Sequence, residues 1–275
     1  MALLTTSRFL ESLPTFSPIA ARLLGLTGDR ASVSAVSELV GADPALTTDV
    51  LRMANSPLYG GQREIDSLQQ AMALLGMDRV RGIALTVAMR DFSCSAKSSP
   101  VFQQCWRHSL GCGVIAGDLA AAASRDRDTG YTIGLLHDAG RLALLAAKPH
   151  SYGRLLKAGA ASVLEMWDNE RELFGVDHCE AGGWLAEAWR LPLNVRIGMQ
   201  RHHECGGDPR GYHQIVHVAC ELATLAGFHS WGEPRKWKPE SVRALLPDAS
   251  PEFLDGGQLV QRVTEEVSAL ENMLM

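Results

Sequence analysis

The chain has 275 residues, of which 46% are hydrophobic and 21% are charged, and its formal net charge is -5. This length is compatible with one large domain or two lobes, and the composition is typical of a globular protein with a sizeable core. The negative charge argues against nucleic acid as a partner, because nonspecific binding to nucleic acid needs a basic surface. No uncharged apolar stretch reaches the length of about 18 residues that a membrane-spanning helix needs, so we expect no membrane partner.

The start of the chain and its cysteines favour a cytoplasmic protein. Residues 1–8 do not form a basic segment followed by a long apolar run, so we expect no signal peptide. The cysteines show neither Cys-x-x-Cys spacing nor a regular framework. Such usage is typical of a reduced chain, and a cytoplasmic location is the simplest interpretation.

The N-terminal part of the chain carries helix signals and almost no strand signals. Valine and isoleucine do not alternate with polar residues over any useful window. Apolar residues recur at helical spacing over 33–40. Asp43 is a good N-cap and is followed by Pro44 at the first helical position, so we predict a helix over 45–55.

Two breaks and one further helix follow in this part. Residues 54–61 contain a proline and end in two glycines, which predicts a break in the chain. Ser67 and Gln70 form the pattern of a capping box before the apolar run 71–75, and Gly76 is predicted to end this helix. Residues 91–100 are polar and lack periodicity, so they are the best candidate for a linker.

The rest of the chain is also predicted to be helical. We expect seven helices near 101–123, 130–147, 150–159, 161–173, 177–190, 193–204 and 210–227. Residues 231–250 are rich in proline and charge and are expected to wrap the surface. A last amphipathic helix then presents an apolar face that could pack on the core or on a second copy of the chain, and this face contains Leu259, Val263, Val267 and Leu270.

These elements predict an all-α protein with a two-part organisation. We expect a helical lobe over 1–95 and a larger helical lobe over 96–230. A C-terminal surface segment with the amphipathic helix occupies 231–275.

The pair His137–Asp138 lies in the apolar run 133–145 and is the strongest chemical signal. A buried polar or charged side chain is costly unless it has partners, so the pair predicts partners elsewhere in the chain. The candidates are three histidine positions on other predicted helices: His108, His178 and the doublet His202–His203.

This residue set suits a divalent transition metal. Imidazole nitrogen and carboxylate oxygen are acceptable ligands for Fe, Mn, Ni or Zn. Asp138 could bridge two ions, and two bound ions can polarise a phosphodiester and supply a hydroxide nucleophile. Glycines after His178, at Gly182 and Gly183, would let another helix approach closely.

Other residues have a simpler interpretation. A lone histidine is usually a core or surface residue, and we interpret His150, His213 and His229 in this way. Cys220 is more typical of a small apolar core residue than of a thiolate ligand. Arg141 is either an ordinary cation on a helix surface or a bidentate clamp for phosphate.

Seven motifs in this order make the chain similar to the HDOD family, the HD-related output domains of bacterial signalling proteins. The resemblance covers roughly residues 13–227. The motifs are Leu13–Pro18, Asp43–Leu46, Leu51–Gly60, Ser67–Gly76, Trp106–Ser109, Gly134–Leu142 and Glu172–His178.

The family resembles the HD and HD-GYP phosphohydrolases, which use histidine and aspartate metal ligands, and the HD-GYP enzymes open cyclic di-GMP. The resemblance therefore implies a two-lobed helical fold with an HD-like core. It also implies that six residues occupy metal-ligand positions, namely His108, His137, Asp138, His178, His202 and His203. Three departures are present: Cys220 stands where the closing aspartate is expected, Arg141 replaces a lysine, and the Gly-Tyr-Pro signature is absent.

The departures affect the expected chemistry. Two divalent ions would bring a charge of about +4, and Asp138 with a bridging hydroxide offsets only about half of it. Glu221 is rotated away from Cys220 along the helix and cannot replace the missing acid, whereas Glu204 is a candidate replacement. We therefore expect that one metal can be held, that two are doubtful, and that efficient hydrolysis does not occur.

The preferred interpretation is a regulatory output module of bacterial signal transduction that is not catalytic and contacts signalling proteins in trans. One alternative is a metal-dependent phosphohydrolase for a nucleotide or cyclic di-GMP, in which Asp138 and Arg141 would act in catalysis. Another is a sensor that binds a nucleotide second messenger in a degenerate HD site.

Overall fold

The computed structural model describes residues 17–26, 32–56, 64–92, 99–204, 206–246 and 256–274. Within these ranges the regular elements are helices and no strand occurs, which confirms the predicted all-α fold. The helices are α1 (Pro18–Gly25), α2 (Val33–Gly41), α3 (Pro44–Ala54), α4 (Leu68–Leu75), α5 (Met77–Phe92), α6 (Pro100–Ala122), α7 (Arg127–Leu136), α8 (Ala139–Ala147), α9 (Pro149–Ala158), α10 (Val163–Phe174), α11 (His178–Ala188), α12 (Leu193–Arg201), α13 (Tyr212–Leu225), α14 (Pro239–Leu245) and α15 (Gly257–Leu274).

The N-terminal helices begin where the sequence supplies a capping side chain. Asp43 accepts two backbone amides at 2.9 and 3.1 Å, and α3 starts at Pro44 as predicted. Ser67 accepts from the amide of Gln70 at 3.2 Å, so α4 starts at Leu68, directly after the predicted N-cap residue. The Gln70 side chain accepts from the amide of the residue before Ser67, so the capping box is only partly formed.

Helix α5 was not predicted from the sequence. Its residues from Ile83 to Met89 are all buried, because the helix packs against α1, α3, α4 and α7. A helix that is apolar on every side has no amphipathic period to detect. Since α5 reaches Phe92 and α6 starts at Pro100, the predicted linker is shorter than expected, and its residues 93–98 lie outside the described residues.

The predicted break at 54–61 begins where α3 ends. The Asn55 side chain bonds the carbonyl oxygen and the amide nitrogen of Ile65, both at 2.8 Å, and so joins the chain on either side of the break. Residues 57–61 of this break lie outside the described residues.

Helix α6 is the central helix of the site region and packs against α7, α13, α8 and α15. The crossing with α7 is close because glycines line it. A Cβ atom on Gly134 would lie 2.8 Å from the Cys112 carbonyl oxygen, too near for any other residue type. This crossing places the end of α7 beside His108.

The prediction of one continuous helix over 130–147 is wrong. Helix α7 ends at Leu136 and α8 begins at Ala139, so His137 and Asp138 form the turn between them. Asp138 has φ -99 and ψ 18, outside the helical region, and the His137 ring bonds the carbonyl oxygen of Gly134 at 2.6 Å. The turn therefore sets both side chains at a junction of two helices.

The C-terminal part packs on the core. Residues 231–238 are irregular, and the short helix α14 follows within the segment predicted to wrap the surface. The apolar face of α15 is buried against α6 and α3. Of the two predicted arrangements, this is packing on the core of the same chain. Two ion pairs join α15 to α6, one of which links Arg107 to Glu271 at 2.7 Å.

The division into lobes stays a prediction, because α5 packs on α7 across the proposed boundary at residue 95. In the part of the chain that the structure describes, no helix combines the length and the apolar character needed to cross a bilayer.

Candidate metal centre

The residues of the predicted ligand set converge on one point of the structure. They come from α6, from the turn between α7 and α8, from the start of α11, from the residues just after α12, and from α13. Five of them are at most 2% exposed: His108, His137, Asp138, His178 and His202. Only His203 is partly exposed, so the centre lies inside the protein.

The rings of His108 and His137 are tilted by 58° and approach each other through their Nε2 atoms. Each ring donates from Nδ1 to a backbone carbonyl oxygen, His108 to Phe228 and His137 to Gly134, both at 2.6 Å. Their Nε2 atoms lie 3.2 Å apart. The carbonyl bonds fix both ring orientations and leave Nε2 as the ligand atom.

Asp138 has one engaged oxygen and one that lacks a partner. Its Oδ2 accepts from Nε of Arg141 at 2.8 Å. Its Oδ1 has no hydrogen-bond partner among the described residues, and neither has Nε2 of His202, which lies 3.5 Å away. His178 Nε2 is 3.6 Å from the same oxygen. Buried polar atoms without partners are rare, and a cation between them would satisfy both.

A second buried carboxylate, Glu170 on α10, lies behind His178 and was missed in the sequence. Its Oε2 accepts from Nδ1 and from the backbone amide of His178, at 2.7 and 2.9 Å. Its Oε1 accepts from Arg141 at 3.1 Å and from the Tyr152 hydroxyl. Glu170 lies four residues after Met166 and four before Phe174, so it shares the buried face of α10 with these two apolar residues. This spacing is a sequence signal that could have revealed it.

Arg141 fits neither of its two predicted roles. It is 1% exposed, so it is not a surface cation. Its guanidinium binds Asp138, Glu170 and Tyr152, and its Nη2 donates to Nε2 of His178 at 3.0 Å. The group is therefore committed to buried partners within the chain and is not free to clamp a phosphate.

The last two members of the set lie at the edge of the centre. His203 Nε2 is 3.1 Å from His178 Nε2, and Cys220 Sγ is 3.5 Å from His108 Nε2. Both residues line a cavity of about 570 Å³ that opens to the surface. The exposed Glu204 bonds Arg201 at 2.7 Å, which does not support its predicted role as a replacement acid.

The environment sets the protonation of the cluster. Burial lowers the pKa of His108, His137, His202 and His203, so these rings are neutral and able to bind a metal. Burial raises the pKa of Asp138, but Arg141 and His137 lower it by more. The resulting pKa lies well below the usual range of an aspartate. Burial raises the pKa of the Cys220 thiol well above its usual value.

Three overlapping groups of side chains have ligand atoms within 4.8 Å of one another. They are His137 with Asp138 and His202, His108 with His137 and Cys220, and His178 with Cys179, His202 and His203. Neutral imidazoles, an ionised acid and partnerless polar atoms fit a transition metal. A bound ion would supply Lewis acidity at this point. Cys179 was not predicted.

The other histidines behave as predicted. His150 is exposed, and the rings of His213 and His229 bond backbone carbonyl oxygens away from the cluster. His217 was not considered from the sequence, and its Nδ1 bonds the carbonyl oxygen of His202 at 2.8 Å, which steadies the turn after α12.

The fold and the cluster define an all-helical domain with a buried histidine and aspartate centre. Residues 13–205 match the family model of the HDOD domain, and the chain belongs to this family. This confirms the resemblance drawn from the motifs. An uncharacterized protein of Treponema pallidum (strain Nichols) is 25% identical over 219 residues, which are 78% of this chain and 42% of that protein. The chain thus spans less than half the length of this curated relative.

Solved structures share the fold. An HDOD domain protein of unknown function from Geobacter sulfurreducens has a TM-score of 0.70 at 24% identity, covering 98% of this chain and 96% of that one. A provisionally named phosphohydrolase from Shewanella amazonensis SB2B gives 0.71 at 21% identity, with 98% of both chains covered. A provisionally named signal transduction protein from Marinobacter aquaeolei VT8 gives 0.73 at 21% identity, covering 100% of this chain and 62% of that one.

Proposed function

We infer that this chain is a regulatory module of signal transduction, which acts through contacts with signalling proteins in trans and does not hydrolyse phosphoesters. The observation that carries this proposal is the binding of Asp138 by Arg141 inside a closed core. Asp138 is 2% exposed, and its Oδ2 accepts from Arg141 at 2.8 Å. A carboxylate held in this way is not free to bridge two ions, as a two-metal hydrolase requires.

The charge of the centre supports the same proposal. Asp138 and Glu170 are the two buried carboxylates that Arg141 binds inside the centre. Burial and Arg141 lower the pKa of His178, but Cys179 and Glu170 raise it to about 10, so this ring adds a positive charge. The two carboxylates are then balanced by Arg141 and His178, and a second divalent ion would find no further compensation. A single ion suits a structural or sensing role, and we propose that the centre holds no more than one such ion.

The cavity beside the centre does not favour an anionic substrate. Its described lining includes three carboxylates, those of Glu165, Glu221 and Glu233. The one guanidinium in this lining, Arg235, is 2.6 Å from Glu221 and is already paired with it. A phosphate ester would therefore enter a surface of like charge.

The test is a turnover assay with a matched variant. We would incubate the purified protein and its Asp138→Asn variant with Mn²⁺ and either cyclic di-GMP or bis(p-nitrophenyl) phosphate. We expect the same background rate from both proteins. Turnover by the natural protein that disappears in Asp138→Asn overturns the proposal and supports the phosphohydrolase alternative.

A sensor of small molecules is the second candidate, because the cavity of about 570 Å³ has the size of a ligand site. The acidic lining favours a ligand without net negative charge. We expect no change in melting temperature with cyclic di-GMP or guanosine tetraphosphate. A clear rise with either compound would support a nucleotide sensor.

A further inference from the structure

Two imidazole lone pairs point at each other in the centre. The Nδ1 atoms of His108 and His137 must carry the protons, because each bonds a carbonyl oxygen, which can only accept. In the neutral rings both Nε2 atoms are therefore acceptors, yet they lie 3.2 Å apart. Two acceptors at this distance repel each other unless a cation lies between them.

The other close pair of rings has no such conflict. The Nε2 atoms of His178 and His203 are 3.1 Å apart. Nδ1 of His178 bonds Glu170, but no carbonyl bond fixes the tautomer of His203 in the same way. In the neutral form of His178, a proton on Nε2 of His203 makes this nitrogen a donor that shares the Nε2 lone pair of His178 with Nη2 of Arg141. In its protonated form His178 is itself the donor, so in neither form are the two nitrogens both acceptors. The need for a cation is therefore specific to His108 and His137.

Cys220 lies close enough to these two rings to be a third ligand of the same ion. Its Sγ lies 3.5 Å from Nε2 of His108, and all three ligand atoms are within 4.8 Å of one another. In a tetrahedral zinc site with bonds of about 2.05 Å to nitrogen and about 2.3 Å to sulfur, two nitrogens are about 3.3 Å apart and nitrogen and sulfur about 3.6 Å apart. The observed 3.2 and 3.5 Å agree with that geometry.

The charge balance favours a thiolate over the aspartate. Oδ2 of Asp138 is 3.9 Å from Nε2 of both rings and is held by Arg141. Cys220 can supply its own negative charge on binding, so an ion need not take Asp138 from Arg141. Cys220 also lines the cavity, which gives an ion a path from solvent.

We propose that His108, His137 and Cys220 form a thiolate site for one thiophilic divalent ion of the zinc class. On binding, the ion forms two bonds to nitrogen and one to sulfur, the S–H bond breaks, and the proton goes to solvent. No electrons are transferred. A thiolate ligand selects zinc over manganese or magnesium, which prefer oxygen ligands.

Cobalt spectroscopy of the full chain tests this assignment. The metal-free protein is titrated with Co²⁺, and a thiolate bound to Co²⁺ gives an intense near-ultraviolet charge-transfer band. We expect one band-forming Co²⁺ per chain, displaced by Zn²⁺ and not by Mn²⁺. Cys220→Ser should abolish the band and weaken Co²⁺ binding by at least about 100-fold.

Cys105→Ser is the matched control, and Cys179→Ser tests the competing thiol of the third ligand group. Cys105, on α6, is buried like Cys220, but its thiol donates to the Ser230 carbonyl oxygen at 3.3 Å. Replacing Cys105 should therefore leave the cobalt band unchanged. A band that survives in Cys220→Ser and vanishes in Cys179→Ser overturns the proposal and moves the thiolate to Cys179.

X-ray absorption on the natural protein with Zn²⁺ covers the case in which Cys220→Ser does not fold. One sulfur with nitrogen neighbours supports the site, and a zinc shell without sulfur overturns it. These readouts do not depend on catalysis, so phosphodiester turnover would contradict the proposed function without changing the cobalt spectrum.

Discussion

Arg141 donates from Nε to Oδ2 of Asp138 at 2.8 Å, and the two residues are both at most 2% exposed. The guanidinium also bonds Glu170, so it is the cation that allows two carboxylates to be ionised inside the protein. Replacing one member of such a group leaves a buried charge without compensation, which costs far more than the net contribution of the intact pair.

Arg141→Met should therefore destabilise the protein by about 3–5 kcal/mol. Methionine keeps much of the volume but removes the charge and the donors. The measurement is urea unfolding at neutral pH, with Arg154→Met as the control because Arg154 is exposed on the nearby α9. A loss below about 1 kcal/mol, the range of surface ion pairs, would show that the buried pair is not a determinant of stability.

Glu170→Gln tests the second carboxylate. Burial raises the pKa of Glu170, but His178 and Arg141 lower it more, to about 2. Compared with an ordinary value of about 4.3, this corresponds to about 3 kcal/mol of stability at neutral pH, which the variant should lose. Glu172→Gln, an exposed change on the same helix, should have no effect.

The pH dependence of this difference has a definite sign. Because the pKa of Glu170 is lowered in the folded state, its contribution is complete above about pH 4.3 and is lost as the pH falls toward 2. The stability difference between the natural protein and Glu170→Gln should therefore shrink below about pH 4.3. A difference that stays constant there would contradict this account of Glu170.

The cluster was predictable from sequence where polar residues interrupt an apolar run. His137–Asp138 stands out for this reason, and the motifs then identify His108, His178 and the doublet after α12. Glu170 was not found because it lies among charged neighbours, and only the tertiary contact with His178 makes it a buried acid. Arg141 was misjudged for the same reason, since burial depends on which helices pack around it.

The fold shows a similar division. Helix α3, which has a capping residue, was predicted with nearly correct bounds, and the apolar face of α15 was identified from its spacing. Helix α5 has no polar face along its buried centre, and the turn at His137 follows from a side-chain bond to Gly134 that no propensity encodes. The predicted boundary at residue 95 remains a prediction.

The buried histidines should make the metal-free protein sensitive to acid. Burial lowers the pKa of His108, His137, His202 and His203. Their contribution to stability is complete above the unfolded value of about 6.5 and is lost as the pH falls from there. The slope is about 1.4 kcal/mol per pH unit for each proton, so at most about 5.6 kcal/mol per unit for the four rings together.

Urea unfolding with chelator at several pH values between 7 and 5 measures that slope. His150→Gln is the control, because His150 is exposed and its loss should leave the slope unchanged. His202→Asn should reduce the slope by about one proton if it folds. Equal stability at pH 7 and pH 5 would mean that these rings are already protonated or accessible in the folded protein.

Gly140 sets the distance between α8, which begins directly after Asp138, and α11, which begins at His178. A Cβ atom at Gly140 on α8 would overlap the His178 carbonyl oxygen and the Gly182 amide nitrogen on α11. Because both contacts are with backbone, no side-chain rotation can make room, and Gly140→Ala should destabilise the protein by about 3 kcal/mol or more. Gly153→Ala is the matched control, since its nearest neighbours would be 4.0 Å away and alanine favours the helix by up to about 1 kcal/mol. Urea unfolding should thus move the two variants in opposite directions, and a stable Gly140→Ala protein would show that α8 and α11 can separate without loss of the fold.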